Sequence, residues 1–102
     1  MAEKTIMLAC NAGMSTSLLV NKMQKAAAAA GEDVEIFATS ADQVDQKMTE
    51  SHPDVLMLGP QVRYLFKGLE SKLDIPVAVI DMKDYGMMNG KNVLEAALKL
   101  IG

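Results

Sequence analysis

Cys10 is the only cysteine of the 102-residue chain, and it ends the first apolar run of the sequence, residues 5–10. A short segment of small residues follows it, and then three consecutive hydroxyl residues open an amphipathic helical pattern. The backbone N–H groups of such a loop and the amino end of the next helix favour a bound anion. The same field favours a thiolate over a thiol. The pattern therefore predicts that Cys10 is a nucleophile that accepts a phosphoryl group.

The alternative is that Cys10 is a small buried hydrophobic residue, which is the commoner role of a lone cysteine. The residues that follow it favour the reactive role, because Gly13 suits a tightly turning backbone and one helix cap would need one hydroxyl rather than three. Hydroxyl groups also donate hydrogen bonds to phosphate oxygens. The residues predicted to bind the phosphoryl group are Asn11, Ala12, Gly13, Met14, Ser15, Thr16 and Ser17.

Composition limits the other function classes. The net charge is −3, and there are four aromatic residues and no tryptophan, which argues against nucleic acid as a partner. No apolar run approaches the ~20 residues of a membrane span, and the amino terminus lacks the order of a signal peptide. One cysteine forms no internal disulfide, which fits a cytoplasmic location. No histidine, cysteine and carboxylate cluster has the spacing of metal ligands, so we expect neither a metal nor a cofactor.

The positions of apolar residues predict four strands that alternate with four helices. The strands are expected at about residues 4–9, 34–38, 55–58 and 76–80, and the first helix near Ser15 to Ala30. Ser40 and Gln43 have the spacing of a capping box before the second helix. A loop is expected from Asp81 to Gly90. This order predicts one α/β domain with an open, four-stranded parallel sheet and helices on both faces.

In such a sheet, ligands bind at the carboxyl ends of the strands. We therefore expect Cys10, the turn Gly59-Pro60-Gln61 and Asp81 to lie on one edge. A phosphatase with a cysteine loop uses a Cys-x5-Arg motif, but the arginine position is occupied here by Thr16. Arg63 is the one arginine in the chain, and a solvated helix position is its simpler interpretation. A carrier can dispense with this arginine, because its donor is already a high-energy phosphoryl group.

Three further residues have both a catalytic and a structural interpretation. Asp81 and Asp84 are possible general acids, but a turn residue and a solvated carboxylate explain them equally well. His52, the single histidine, precedes the third strand and should lie at the end of the sheet opposite Cys10. It is therefore not expected to be the base of a cysteine–histidine pair.

Three blocks of the chain resemble one protein family. The segment from Cys10 to Val20 resembles the phosphocysteine loop of enzyme IIB components of the phosphoenolpyruvate-dependent sugar phosphotransferase system, in the lactose/chitobiose/cellobiose family. The segment from Leu58 to Tyr64 and the pattern Ile80-Asp81-x3-Tyr85-Gly86-x3-Gly90 resemble the family's segments after strands 3 and 4. Together the blocks extend the resemblance over essentially the whole chain, residues 1–102, as one enzyme IIB domain.

The resemblance implies a fold similar to the low-molecular-weight tyrosine phosphatases and a phosphocarrier function. Cys10 would accept a phosphoryl group from a phosphohistidine of enzyme IIA and pass it to a sugar in the membrane permease, enzyme IIC. The sugar would be a β-linked disaccharide such as cellobiose, chitobiose or lactose. The protein would be cytoplasmic, meeting the inner face of the membrane transiently through the permease and without inserting into it.

Two partners are implied, and Pro60, Gln61, Tyr85 and Gly86 would help to dock them. A small cysteine-dependent phosphatase and a non-catalytic regulatory binding module remain the alternatives.

Overall fold

The structure, a computed structural model, describes residues 4–10 and 13–102, with residues 13–15 described as backbone. Four strands are present in this part of the chain: β1 (Lys4–Cys10), β2 (Val34–Ser40), β3 (Val55–Leu58) and β4 (Val77–Val79). The helices are α1 (Gly13–Ala30), α2 (Val44–Ser51), α3 (Phe66–Lys72), α4 (Met82–Gly86) and α5 (Gly90–Ile101). Short 3-10 turns, Ala41–Gln43 and Pro60–Leu65, precede α2 and α3.

The strands form one parallel sheet in the order β2-β1-β3-β4. The two central strands are the most buried ones: five of the seven residues of β1 and all four residues of β3 are buried. This is expected of parallel strands that are covered on both faces. The predicted fold class is confirmed, and the structure places β2 at an edge of the sheet and β3 in its interior.

Alternate residues of β1 face opposite sides of the sheet and separate the core into two clusters. Ile6 and Leu8 belong to the cluster beneath α1 and α5, which includes Leu19 and Val93. Met7 and Ala9 belong to the cluster beneath α2 and α3. The second cluster includes Val62, and four partly buried residues pack against it: Leu65, Phe66, Leu69 and Leu73. Helices therefore cover both faces, as the sequence predicted.

Close packing of α1 on α5 depends on Gly90. A Cβ atom at this position would lie 2.5 Å from the carbonyl carbon of Lys22 and 2.6 Å from the amide nitrogen of Met23. Both are backbone atoms of α1, so no side-chain rotation could relieve the contact. The contact fixes the start of α5 against the middle of α1.

Three local predictions are wrong. The first helix begins at Gly13 rather than near Ser15. The capping box does not form: Ser40 makes no side-chain cap hydrogen bond, and the Gln43 side chain instead accepts a 3.5 Å hydrogen bond from the Thr39 hydroxyl. The expected loop after β4 contains α4, because the Asp81 carboxylate accepts hydrogen bonds from the amides of Lys83 and Asp84 and so starts a helical turn.

Candidate functional site

The carboxyl ends of the four strands form one edge of the sheet, and Cys10 lies near its middle. Cys10 pairs with Ser40 at the end of β2. On its other side, the Gly59 amide donates a 2.8 Å hydrogen bond to the carbonyl of Ala9. The Ile80 amide extends the row with a 2.8 Å hydrogen bond to the carbonyl of Leu58. Cys10 and the residues that follow β3 and β4 are therefore brought to the same edge, as predicted.

The Cys10 side chain is buried, with 2% of the residue exposed, and it contacts α1. Its sulfur lies 2.5 Å from the hydroxyl oxygen of Thr16, whose exposed fraction is 0%. Thr16 is in the first turn of α1, so the helix itself places this hydroxyl on the sulfur.

The amino end of α1 lies next to the sulfur and has the electrostatics of an anion site. The helix begins at Gly13, three residues after Cys10, and its first turn contains no acidic residue. The first amides of a helix have no partner within the helix, and their partial positive charge stabilises an anion. A phosphoryl group on Cys10 would lie at this helix end.

The predicted phosphate-binding residues are described to different extents. Asn11 and Ala12 lie outside the described residues, and Gly13, Met14 and Ser15 are described as the first backbone residues of α1. Thr16 is buried against Cys10, and Ser17 is exposed on the next position of the helix. The roles assigned to residues 11–17 stay predictions.

Gly59, the first residue of the turn after β3, lies close to Cys10. A Cβ atom at Gly59 would lie 3.2 Å from the Cβ of Cys10 and 3.1 Å from Oε1 of Gln61. These distances are shorter than ordinary van der Waals contacts between carbon and its neighbours. The turn after β3 therefore follows closely behind the cysteine, and the Gln61 amide reaches the same space.

Of the predicted docking residues, two are exposed and two are buried. Gln61 and Gly86 are exposed, whereas Pro60 is buried and Tyr85 has 9% of its surface exposed. The Gln61 side-chain amide approaches the Tyr85 hydroxyl at 3.5 Å, which links the turn after β3 to α4. Tyr85 is part of the core beneath α1 and α5. Docking by this group stays a prediction, with Gln61 and Gly86 as its accessible members.

The other residues considered for catalysis have structural roles in the fold. Asp81 caps α4, and the carboxylate of Asp84 accepts a 3.1 Å hydrogen bond from the Asn92 side chain. Arg63 is exposed and donates a 3.0 Å hydrogen bond to the carbonyl of Pro60 within its own turn. His52 ends α2 in a left-handed conformation (φ 48°), before β3 and hence at the opposite end of the sheet from Cys10.

Several apolar side chains are exposed on the surface of the described residues. Leu18, on the first turns of α1, is 50% exposed, and Tyr64, in the turn after β3, is 72% exposed. Met87, at the end of α4, is 68% exposed. Tyr64 also borders a surface groove with Ser40 and Asp42, next to the end of β2. Periodicity does not distinguish such residues from core residues, since each is apolar and within or beside a helical stretch.

The described residues contain neither a metal-ligand cluster nor a membrane-spanning helix. No group of three histidine, cysteine or acidic side chains in residues 4–10 and 13–102 is placed to hold a metal ion. Within the same residues, none of the helices combines the length and apolar character needed to cross a membrane.

Comparison with known proteins gives the class to which this fold and cysteine site belong. Residues 5–96 match the family described as PTS system, lactose/cellobiose-specific IIB subunit. The galactose-specific EIIB component of Lactococcus lactis subsp. cremoris is 53% identical over 107 aligned residues, which cover 99% of this chain and 99% of the relative. The cellobiose-specific EIIB component of Lactococcus lactis subsp. lactis has the same identity and coverage.

A solved structure agrees with these relatives. The solution structure of the cellobiose-specific phosphotransferase IIB component from Borrelia burgdorferi superposes with a TM-score of 0.80. It is 32% identical, and the match covers 96% of this chain and 91% of that one. The chain belongs to the lactose/cellobiose-specific IIB family of the phosphotransferase system. It is therefore a transferase component of sugar uptake, and such components work with enzyme IIA and enzyme IIC partners.

Proposed function

We propose that Cys10 is the residue of this IIB component that carries the phosphoryl group. It accepts the group from a phosphohistidine of the cognate enzyme IIA and passes it to a sugar bound in the permease, enzyme IIC. The backbone of residues 11–17 surrounds the phosphoryl oxygens, with hydroxyls from Ser15 and Ser17. Family membership supports this reaction, and the position of the sulfur supports Cys10 as the residue that carries the phosphoryl group.

The observation that carries the proposal is the position of the Cys10 sulfur at the amino end of α1. The sulfur is at the carboxyl end of a central strand, and α1 begins three residues later with no acidic residue in its first turn. A thiolate and a phosphoryl group are both anionic, and the helix end stabilises each of them. Cys10 is also the only thiol in the chain.

Two displacements at phosphorus make up the reaction. In the first, the thiolate attacks phosphorus, the S–P bond forms, the P–N bond of the phosphohistidine breaks, and the electron pair returns to the imidazole nitrogen. In the second, a sugar hydroxyl attacks the phosphocysteine, an O–P bond forms, the hydroxyl proton is released, and the thiolate is regenerated. Both steps need positioning and charge stabilisation more than covalent help from the protein.

A carrier is favoured over a cysteine phosphatase by the residues around the sulfur. Thr16 occupies the arginine position of a Cys-x5-Arg loop, and Arg63 is bound to the carbonyl of its own turn. Asp81 and Asp84, the candidate acids, accept hydrogen bonds within and beside α4. Without a guanidinium on the phosphoryl oxygens and a carboxylate placed to take the proton of an attacking water, hydrolysis of the intermediate is disfavoured.

The sugar that we propose is a β-linked disaccharide such as cellobiose, chitobiose or lactose. Relatives named for galactose and for cellobiose are equally similar to the chain, at 53% identity each. Overall identity therefore does not select between sugars, and we assign the choice to the permease. We further propose that residues 1–102 act as one IIB domain in the cytoplasm, at the inner face of the membrane while the permease is engaged.

The test is mass spectrometry of the intact protein and its peptides after incubation with phosphoenolpyruvate, the general phosphotransferase proteins and a candidate enzyme IIA. The proposal expects one phosphoryl group on the peptide that contains Cys10, dependent on enzyme IIA and absent from Cys10→Ser. Circular dichroism of Cys10→Ser provides the folding control. A phosphoryl group on another residue, or none with several enzyme IIA proteins, would exclude Cys10 as the acceptor.

A further inference from the structure

The burial of Thr16 against the Cys10 sulfur is a feature that phosphate binding alone does not explain. Thr16 has an exposed fraction of 0%, and its hydroxyl oxygen is 2.5 Å from the sulfur. A buried hydroxyl is costly unless it makes a hydrogen bond. Here the hydroxyl contacts the reacting atom itself.

We infer that Thr16 is a further catalytic residue of this chain, whose hydroxyl holds the charge on the Cys10 sulfur and does not serve mainly as a phosphate ligand. The inference rests on the proposed function, since it assigns Thr16 a role in the same two transfers. The hydroxyl donates a hydrogen bond to the thiolate before the first transfer and again as the second transfer regenerates it. This differs from the sequence-based expectation, which grouped Thr16 with the oxygen-binding residues.

The same contact between Thr16 and the sulfur acts in both transfer steps. Before phosphorylation it favours the thiolate, which is the nucleophilic form of cysteine. When the phosphoryl group departs to the sugar, the S–P bond breaks and its electron pair returns to sulfur. The Thr16 hydroxyl is already placed to donate to that developing charge, so no reorganisation is needed at the moment of transfer.

The position of Thr16 also explains why a neutral residue suits a carrier. In a Cys-x5-Arg loop this position supplies a guanidinium that grips the phosphoryl oxygens in two places. A threonine hydroxyl carries no charge and is occupied by the sulfur. The leaving thiolate is therefore stabilised, while the phosphoryl group is not activated toward water to the same degree.

Three variants test the inference. Thr16→Val has nearly the same shape and lacks the hydroxyl, whereas Thr16→Ser keeps the hydroxyl. Thr39→Val is the matched control, because Thr39 is the other buried polar residue in the described part of the chain and its hydroxyl bonds to Gln43. Circular dichroism and urea unfolding show whether each variant folds.

The first readout is the ultraviolet absorbance of the thiolate in a pH titration, taken as the difference from Cys10→Ser so that it reports the single cysteine of the chain. The thiolate should form less readily in Thr16→Val than in the wild type, and as readily as in the wild type in Thr16→Ser and Thr39→Val. The second readout is the rate of phosphoryl transfer from phosphorylated enzyme IIA. Its kcat should fall about tenfold in Thr16→Val, while KM for enzyme IIA should change little. A change of about tenfold in rate corresponds to the loss of one weak charge-assisted hydrogen bond.

Two results would overturn the inference. One is a folded Thr16→Val protein with an unchanged thiolate fraction and an unchanged transfer rate. The other is slower transfer with an unchanged thiolate fraction, which would return Thr16 to the phosphoryl oxygens. The thiolate measurement needs no partner protein, so it is independent of the phosphorylation test of the proposed function. A wild-type protein whose Cys10 takes no phosphoryl group would instead count against that function.

Discussion

The backbone of Gly59 lies directly behind Cys10, so that a side chain at Gly59 would be crowded against the cysteine. A Cβ atom at Gly59 would be 3.2 Å from the Cβ of Cys10, and the Gly59 amide is hydrogen-bonded to Ala9 at 2.8 Å. The backbone of Gly59 has φ −63°, which any residue can adopt. The glycine is thus required for the space beside the cysteine and not for its backbone conformation.

Gly59→Ala should therefore impair phosphoryl transfer more than it impairs folding. The added methyl group must shift Cys10 or the Gln61 side chain by a few tenths of an ångström, and the rate of transfer is sensitive to the position of the nucleophile. We expect a loss of up to about tenfold in transfer and a stability loss of about 1–3 kcal/mol. Transfer is measured from phosphorylated enzyme IIA, and stability by urea unfolding.

Gly68→Ala is the matched control for this substitution. Gly68 lies in α3, and a Cβ atom there would meet nothing within 4 Å. Transfer should be unchanged, and stability should rise by up to about 1 kcal/mol, because alanine is the better helix former. If Gly59→Ala transferred at the wild-type rate, the close approach to Cys10 would have no part in catalysis.

Asp81 provides a test that separates a helix cap from a general acid. Its carboxylate accepts hydrogen bonds from the amides of Lys83 and Asp84 at the start of α4. Asparagine caps helices about as well as aspartate but cannot donate a proton as an acid. Asp81→Asn should retain transfer and stability, whereas Asp81→Ala should lose about 0.5–2 kcal/mol in stability. A large loss of kcat in folded Asp81→Asn would assign Asp81 to catalysis.

Gly90→Ala should destabilise the fold without a direct effect on the site. The methyl group would lie 2.5 Å from the carbonyl carbon of Lys22, so α1 and α5 must move apart. Overpacking of this kind typically costs about 1–3 kcal/mol, which urea unfolding can measure. Gly86→Ala is the control, because a Cβ atom at Gly86 would meet nothing within 4 Å. Equal stability of the two variants would contradict the packing described for α5.

Gln61 tests the predicted docking surface. It is exposed, so Gln61→Ala should change the free energy of unfolding by less than about 0.5 kcal/mol. If its amide contacts enzyme IIA, KM for the donor should rise several-fold. Gln46→Ala is the comparison, since Gln46 is also exposed and bonds to Glu50 on α2. The same KM in both variants would remove Gln61 from the docking surface.

The sheet was predictable because burial on both faces requires apolar strands. β3 has four buried apolar residues in succession, and its place in the interior follows from that pattern alone. The meeting of Cys10 and Gly59 follows from topology, since parallel strands bring their carboxyl ends to one edge. These features depend on the hydrophobic pattern, which is directly visible in the sequence.

Other features depend on contacts between residues distant in sequence or on competition between local hydrogen bonds. The helical turn at α4 requires the Asp81 side chain to bond to amides of the next residues, which composition does not distinguish from a polar loop. The capping box failed because Gln43 bonds to Thr39 instead of returning to Ser40. The contact of Thr16 with the sulfur depends on where α1 begins, and helix starts are poorly defined by periodicity.

The central claim is that the phosphoryl group on Cys10 is an intermediate that moves on to a sugar. The most direct measurement is a chase: protein labelled with radioactive phosphate on Cys10 is purified, then mixed with membranes that contain the permease, with and without a β-linked disaccharide. The account predicts that the label leaves Cys10 and is recovered as sugar phosphate, only when both sugar and permease are present. Label that stays on the protein, or is released as inorganic phosphate with or without the sugar, would contradict it.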